Sequence, residues 1–238
     1  MNFPVLHKLV IIVALVTVGP ISMAVEPAKW NKAGGEQEEA LHLTPNPKKG
    51  LDVYETCSAC HQPEAWGTLD GEFPQLAGQH REVIIKQLAD IRALNRDNPT
   101  MYPFTLPEAI GDAQAISDVA AYIEQLKMNP EHGRGPTSAD LLRGKELYDV
   151  NCLKCHGERG EGNAKLFYPK IQGQHYNYML RQFQWIRDGK RRNANPKMVK
   201  QIEGFSDKDM IDVISYVAEL PVDKESVAPK NWLNPDFE

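Results

Sequence analysis

One segment of the sequence occurs twice, and this repeat constrains the fold more than any other feature. Residues 57–61 (CSACH) recur 95 positions later as residues 152–156 (CLKCH). At the same shift, residues 74–80 (PQLAGQH) match residues 169–175 (PKIQGQH). Long agreements at one shift indicate a duplicated domain.

The duplication divides the chain into two units with separate flanks. We predict one unit over residues 47–127 and a second over residues 138–220, joined by a linker at 128–137 that is rich in glycine and proline. Residues 25–46 form a polar N-terminal extension, and residues 221–238 form a polar C-terminal tail.

The first 24 residues resemble an export signal. Lys8 gives a positive start, and residues 9–18 are an apolar run of ten residues. Ser22 and Ala24 place small residues at the −3 and −1 positions of a cleavage site. A permanent membrane anchor is the alternative, but a spanning helix needs about 20 apolar residues. We therefore predict a signal peptide over residues 1–24, cleaved after Ala24, and export to a bacterial periplasm.

Composition excludes several classes of protein. Hydrophobic residues make up 42% of the chain and charged residues 25%, as in ordinary globular proteins. The mean hydropathy of −0.47 excludes a protein with many membrane spans. The net charge of −5 argues against a general nucleic-acid binder, which would usually be basic.

Apolar residues in both units follow the spacing of an α-helix. Residues 116, 119, 120 and 123 are Ile, Val, Ala and Ile, at i, i+3, i+4 and i+7. Ser206 precedes a second such segment, with Asp209 three residues later in a pattern close to a capping box. No strong alternation typical of strands is present, so we predict an all-α protein. A helical unit of about 80 residues has a thin core and would benefit from a large apolar group at its centre.

The Cys-x-x-Cys-His motifs predict that this group is a covalently attached haem. Two thiols about one helical turn apart can form thioethers with the two vinyl groups of a haem, and the adjoining histidine then lies under the iron as its proximal ligand. The sequence thus predicts two haem c groups, with these attachment and proximal-ligand residues: Cys57, Cys60 and His61 for the first, and Cys152, Cys155 and His156 for the second.

Three other uses of such cysteines compete with haem attachment. Paired motifs of a zinc ribbon are normally about 15–20 residues apart, whereas 91 residues separate Cys60 from Cys152. A thioredoxin-like redox motif needs a βαβ context, which the helical pattern does not provide. Two structural disulfides would suit an exported protein but would not require a histidine after each pair.

Methionine is expected to supply the sixth ligand of each iron. Met101 and Met198 each follow an Asn-Pro pair, 40 and 42 residues after the proximal histidine. Proline would keep this stretch extended, as a loop across a haem face requires. Met179 and Met210 lie within helical patterns and are expected in the core.

Two residues of the second repeated segment are expected beside each haem. A carbonyl at Pro74 or Pro169 would accept the Nδ1–H of the proximal histidine and fix its ring. His80 and His175 offer an alternative pair of axial ligands. They stand at a helix start close to these prolines, so we expect them behind the ligands or at the surface.

These motifs resemble the class I c-type cytochromes, and their tandem arrangement resembles the dihaem cytochrome c4 family over residues 47–220. The resemblance implies two tandem class I cytochrome c domains, related by internal duplication and packed about a pseudo-twofold axis. It also implies electron transfer without a substrate, to redox proteins such as a terminal oxidase, a reductase or a quinol-oxidising complex. Peripheral contact with a membrane is compatible with this role, and no nucleic-acid partner is expected.

Two other functions stay open from the sequence alone. A dihaem enzyme of the peroxidase or thiosulfate-oxidising type would need a haem that lacks its methionine. A cytochrome subunit of a dehydrogenase complex would give the polar flanks a purpose.

The two units differ in charge. Residues 45–127 hold 7 basic and 12 acidic side chains, whereas residues 140–220 hold 14 basic and 11 acidic ones. Part of the positive charge, Lys190, Arg191 and Arg192, lies close to Met198 in sequence. We predict that this loop is a basic rim that steers haem 2 onto an acidic partner, with a merely solvated loop as the alternative.

Overall fold

The computed structural model describes residues 34–237, so the predicted signal peptide lies outside the described residues. Within this range the chain is helical, and its only extended pairings are two isolated β-bridges. None of these helices is long and apolar enough to cross a bilayer. The all-α prediction is confirmed. The helices are α1 (Glu36–His42), α2 (Pro47–His61), α3 (Arg81–Arg92), α4 (Tyr102–Thr105), α5 (Pro107–Ile110), α6 (Ala113–Gln125), α7 (Leu141–Asn151), α8 (Leu153–His156), α9 (Tyr176–Arg187), α10 (Pro196–Ile202) and α11 (Asp207–Ala218), with short 3₁₀ turns at Ala164–Leu166, Lys224–Ser226 and Pro235–Phe237.

In the first unit, helix α2 crosses α6 at very close range. A Cβ on Gly50 would stand 2.2 Å from the carbonyl oxygen of Asp118, so only glycine allows this approach. The carboxylate of Asp118 accepts the N–H of Asn46 at 2.7 Å, and the Asn46 side chain in turn caps the start of α2. The crossing therefore fixes α2, and with it the histidine at the end of that helix.

The second unit repeats this crossing with α7 and α11. A Cβ on Gly144 would stand 2.2 Å from the carbonyl oxygen of Asp212, and the Asp212 carboxylate accepts the N–H of Asp140 at 3.0 Å. One difference is local. The second unit has one more residue between Tyr148 and Cys152 than the first has before its cysteine, and its helix is divided there into α7 and α8.

The cores form where the sequence pattern places them. The four apolar residues predicted on one face of α6 are all buried. Ser206 and Asp209 form the expected capping box at the start of α11. Met179 and Met210 lie in the core of the second unit, as predicted.

Both flanks pack on the first unit. Helix α1 lies against α3 and α6, and Glu36 pairs there with Arg92. At the other end of the chain, Phe237 packs against the core of the first unit. The segments that precede and follow the two repeated units therefore both pack against the first unit.

Candidate haem-binding sites

Each proximal histidine is buried at the end of a helix and held by a proline carbonyl. His61 Nδ1 lies 3.2 Å from the Pro74 oxygen, and His156 Nδ1 lies 3.2 Å from the Pro169 oxygen. Because a carbonyl only accepts hydrogen bonds, Nδ1 carries the proton and Nε2 keeps its lone pair. Among the described residues, Nε2 of neither ring has a hydrogen-bond partner. The Nε2 lone pair of each ring is therefore available to ligate an iron.

A glycine turn shapes the loop between each histidine and its proline. Gly67 has a φ of +66°, and its N–H donates to the His61 carbonyl at 3.1 Å. A Cβ there would stand 2.5 Å from the Pro74 oxygen. Gly162, with a φ of +73°, holds the corresponding turn in the second unit. These glycines let the proline carbonyl reach the ring.

The four cysteine side chains form neither a disulfide nor a site typical of a redox thiolate. All four cysteines lie among the described residues and none is in a disulfide. Burial, together with the neighbouring cysteine, raises the pKa of Cys57 and of Cys152 to about 12, which is opposite to a reactive redox thiolate. Within residues 34–237 no three His, Cys, Asp or Glu side chains converge in a group that could hold a metal ion.

The two candidate methionines lie at helix starts. Met101 occupies the N-cap position of α4, and its N–H donates to the Asn98 side chain at 3.2 Å. Met198 lies in the first turn of α10 and packs against the core of its unit. The expectation that proline keeps this stretch extended is wrong in both units. In the first unit, residues 99–101 form a turn that leads into α4. Pro196 begins α10, because its fixed φ suits the first position of a helix.

Comparison with known proteins gives the family. The model of the cytochrome c family matches residues 47–127 and again residues 141–221. This chain belongs to the cytochrome c family. It is 30% identical over 194 residues to cytochrome c4 of Azotobacter vinelandii, covering 75% of this chain and 91% of that protein. Cytochrome c4 of Thiocapsa roseopersicina is 31% identical over 175 residues, with 69% and 86% covered.

Solved structures agree with this assignment. Reduced recombinant cytochrome c4 from Pseudomonas stutzeri superposes with a TM-score of 0.63 at 26% identity, covering 75% of this chain and 100% of that one. A thiosulfate dehydrogenase from Marichromatium purpuratum gives a TM-score of 0.61 at 23% identity over 73% of this chain and 40% of its own. The latter likeness shows the fold alone. The predicted tandem of two cytochrome c domains, and with it the two covalently attached haem c groups, is confirmed.

The two cytochrome c domains meet through reciprocal hydrogen bonds. Gln174 accepts the N–H of Gln75 at 3.0 Å and donates to its carbonyl at 2.8 Å. Gln79, the equivalent of Gln174, forms the same pair with Lys170 at 2.9 and 2.8 Å. Since Gln75 and Lys170 are also equivalent, the contact has the pseudo-twofold symmetry implied by the resemblance.

His80 and His175 both take part in this contact between the domains. His80 Nε2 donates to the carbonyl of Glu161 at 2.7 Å, and His175 Nε2 donates to that of Trp66 at 2.6 Å. His175 is fully buried, and its Nδ1 accepts the N–H of Gly133 at 3.1 Å. Of the two expected positions, behind the ligands or at the surface, the surface is wrong for His175 because the other domain covers it, whereas His80 is partly exposed.

Met128 fills the space between the domains. A Cβ on Gly78 would stand 2.9 Å from its Cγ, and a Cβ on Gly173 would stand 2.7 Å from its Cε. The two glycines are equivalent positions of the repeat, and each has a φ of +70°. One methionine of the linker therefore packs closely against the equivalent glycines of both domains.

A second contact between the domains is formed by Arg191 and Arg192, which the sequence analysis predicts in an exposed basic loop. Arg191 donates to Gln182 in its own domain at 3.0 Å and to Gln87 of the first domain at 3.0 Å. Arg192 donates to the carbonyl of Leu94, also in the first domain, at 2.8 Å. Burial and the nearby Arg96 lower the pKa of Arg191. The basic-rim prediction is therefore wrong for Arg191 and Arg192, while Lys190 is exposed.

Reasoning from the sequence missed the turn glycines Gly67 and Gly162 and the glutamine pairs. The signal was present in the repeat, because Gly67 and Gly162 are also 95 positions apart. Gln79 and Gln174 occupy equivalent positions of the repeat, but the residues to which they bind lie in the other domain. Their role follows from the second copy.

Proposed function

We propose that this protein is an exported dihaem electron carrier that works in the periplasm. The observation that supports this most is the buried histidine of each domain, with Nδ1 fixed by a proline carbonyl and Nε2 free. A haem iron supplies a one-electron redox couple at each site. The protein's part is to hold that couple in a fixed and largely dry environment.

The side chains of each site have distinct tasks in this proposal. The cysteines bind the haem covalently through Cys57 and Cys60, and through their counterparts in the second domain. Pro74 and Pro169 orient the proximal rings and strengthen them as donors through the Nδ1–H bond. Met101 and Met198 are the proposed sixth ligands. Histidine and methionine ligation together fill the coordination sphere and raise the reduction potential.

Filled coordination favours electron transfer over catalysis. A peroxidase or thiosulfate-oxidising enzyme would need an open position or a different ligand on one iron, whereas each domain has a methionine at the equivalent place. The likeness to a thiosulfate dehydrogenase concerns the fold only. We therefore propose redox proteins as partners, of the oxidase, reductase or quinol-oxidising kind.

We also propose an acidic partner for the second domain, but the basic residues that would meet it differ from those that the sequence predicts. Lys190, Lys197 and Lys200 are exposed around the Met198 helix, and Lys154 is exposed between the two cysteines of the second domain. These lysines, rather than the arginines, would meet the acidic groups of a partner. Such charge complementarity mainly raises the rate of association and weakens with salt.

Spectroscopy during a redox titration tests the proposed function. The purified protein should show two low-spin haems that are reduced and reoxidised reversibly, without turnover of peroxide or thiosulfate. Steady turnover of either compound would show an enzyme instead.

A further inference from the structure

The chain beyond the family match leaves the second domain and crosses to the first. The match ends at residue 221. The N–H of Met128 then donates to the Ser226 carbonyl at 2.8 Å, and the N–H of Ala228 donates to the Met128 carbonyl at 2.9 Å. We call residues 222–237 the strap.

Polar contacts fasten the strap to the loop that follows His61. Asn234, only 2% exposed, donates through Nδ2 to the Pro63 carbonyl at 2.7 Å and to the Tyr122 hydroxyl at 2.9 Å. That hydroxyl donates in turn to the carboxylate of Asp236 at 3.0 Å. A buried amide with these partners fixes the strap in one position, because losing them would leave polar groups unsatisfied.

Aromatic contacts extend the covered surface on both sides of the Cys57–His61 segment. Trp232 lies against Trp66 with ring centroids 5.9 Å apart. Phe237 meets Tyr54 edge to face at 6.1 Å. Tyr54 precedes the first haem cysteine by three residues, and Trp66 follows the proximal histidine by five. The strap therefore covers the His61 side of domain 1.

The equivalent surface of domain 2 is open in the described part of the chain. Glu158 and Arg159, the counterparts of residues 63 and 64, are exposed, although Arg159 pairs with Asp223 at the start of the strap. Tyr216, the counterpart of Tyr122, is partly exposed, and within residues 34–237 its hydroxyl has no hydrogen-bond partner. Within residues 34–237, the asparagine and aromatic contacts of the strap thus have no equivalent on domain 2.

The two domains also differ in charge around their haem cysteines. Lys154 lies exposed inside the Cys-x-x-Cys-His motif of domain 2, where domain 1 has Ala59. Lys154 therefore adds a positive charge to the open side, next to the exposed Glu158, and domain 2 as a whole, residues 140–220, carries a net charge of +3. A negatively charged protein surface fits it, whereas the covered side offers no such charge.

We propose that the strap closes the His61 side of domain 1 to external redox proteins, so that a partner with an acidic docking face exchanges electrons at domain 2. This inference rests on the proposed function as an electron carrier. Haem 1 then exchanges electrons mainly through the interior of the molecule. The family match does not account for the strap, which lies beyond residue 221.

Two small oxidants of opposite charge test the strap. The cation tris(phenanthroline)cobalt(III) should favour domain 1, where residues 45–127 carry a net charge of −5, and the anion ferricyanide should favour domain 2, where residues 140–220 carry +3. The experiment follows oxidation of the fully reduced protein by stopped-flow absorbance. It compares the full chain with a chain that ends at Ala228, which keeps the contact with Met128.

Removing residues 229–238, the part of the strap that carries Trp232, Asn234 and Phe237, should speed oxidation by the cobalt complex by roughly threefold to tenfold and leave the ferricyanide rate unchanged. Asn234→Ala, which keeps the full chain, should change the rates in the same direction by less. Leu233→Ala is the matched control, because Leu233 belongs to the strap but is 66% exposed. An unchanged cobalt rate in both strap variants would overturn the proposal. Haems that are absent, or that do not oxidise reversibly in the full chain, would overturn the proposed function instead.

Discussion

Gln174 of the second domain both donates to and accepts from the backbone of Gln75 in the first domain, at 2.8 and 3.0 Å. One side chain thus satisfies two backbone groups of the other domain in a buried contact. Gln79 does the same for Lys170, so the duplication produces its own interface. The two haem sites are held together by residues that both copies share.

Gln174→Ala should weaken this interface. Each hydrogen bond contributes about 1 kcal/mol, and the backbone groups of Gln75 would be left buried without partners, so we expect a loss of about 1–3 kcal/mol in the free energy of unfolding. Trypsin should then cleave faster after Arg134 in the linker. Gln184→Ala, in the following helix α9 and partly exposed, is the control. Equal cleavage rates in both variants would show that the pair does not hold the domains.

Gly50→Ala and Gly144→Ala should each destabilise one domain. The new Cβ would stand 2.2 Å from a carbonyl oxygen of the crossing helix, so the two helices must separate. Overpacking of this kind typically costs about 1–3 kcal/mol, measured as the free energy of unfolding in denaturant. Gly204→Ala has nothing within 4 Å and should change the stability by less than about 0.5 kcal/mol. Similar effects of all three substitutions would contradict the crossing described above.

Acidification should loosen the contact around His175. Burial lowers the pKa of His175, although its hydrogen bond to Trp66 and the charge of Asp70 act in the other direction, and His132 lies nearby. The unfolded chain then binds the proton more tightly, so stability is lost as the pH falls below the ordinary histidine value of about 6.5. Protonation would also place a hydrogen on Nδ1, which accepts the N–H of Gly133.

His175→Gln should reduce this pH dependence. The amide can still donate to the Trp66 carbonyl but does not titrate in this range. We expect the free energy of unfolding to fall less between pH 7.5 and pH 5 in the variant than in the unchanged protein. An identical fall in both proteins would assign the acid sensitivity to other groups.

Met101→Ala and Met198→Ala test the sixth ligands one domain at a time. Oxidised haem with a methionine ligand shows a weak near-infrared band from sulfur-to-iron charge transfer, so each substitution should remove about half of that band. Met179→Leu, a core substitution of similar volume, should leave it intact. A variant with an undiminished band would assign a different sixth ligand to that haem.

The sequence predicts most reliably what depends on short spacing. The faces of α6 and α11, the capping box at Ser206 and the bond from His61 to the Pro74 carbonyl all involve residues whose relation is set by helix period or motif. The helical place of Met198 was missed although the sequence contained it, because Asn195 and Pro196 together are a typical helix start.

Contacts between segments that are far apart in sequence cannot be predicted from helix period or short motifs. Arg191 looks like one more charge of a basic loop until the other domain brings Gln87 to it. The C-terminal tail has no periodicity that indicates its resting place, because its partners Pro63 and Tyr122 lie more than a hundred residues away. Both features depend on how the two copies and their flanks pack together.

Mass spectrometry of the purified protein tests the central claim most directly, since a dihaem cytochrome requires covalent haem in both domains. The intact mass should equal that of the mature chain plus two haem groups, and replacing both Cys152 and Cys155 by serine should remove one of them. A mass that fits the polypeptide with two disulfides and no haem would contradict the account.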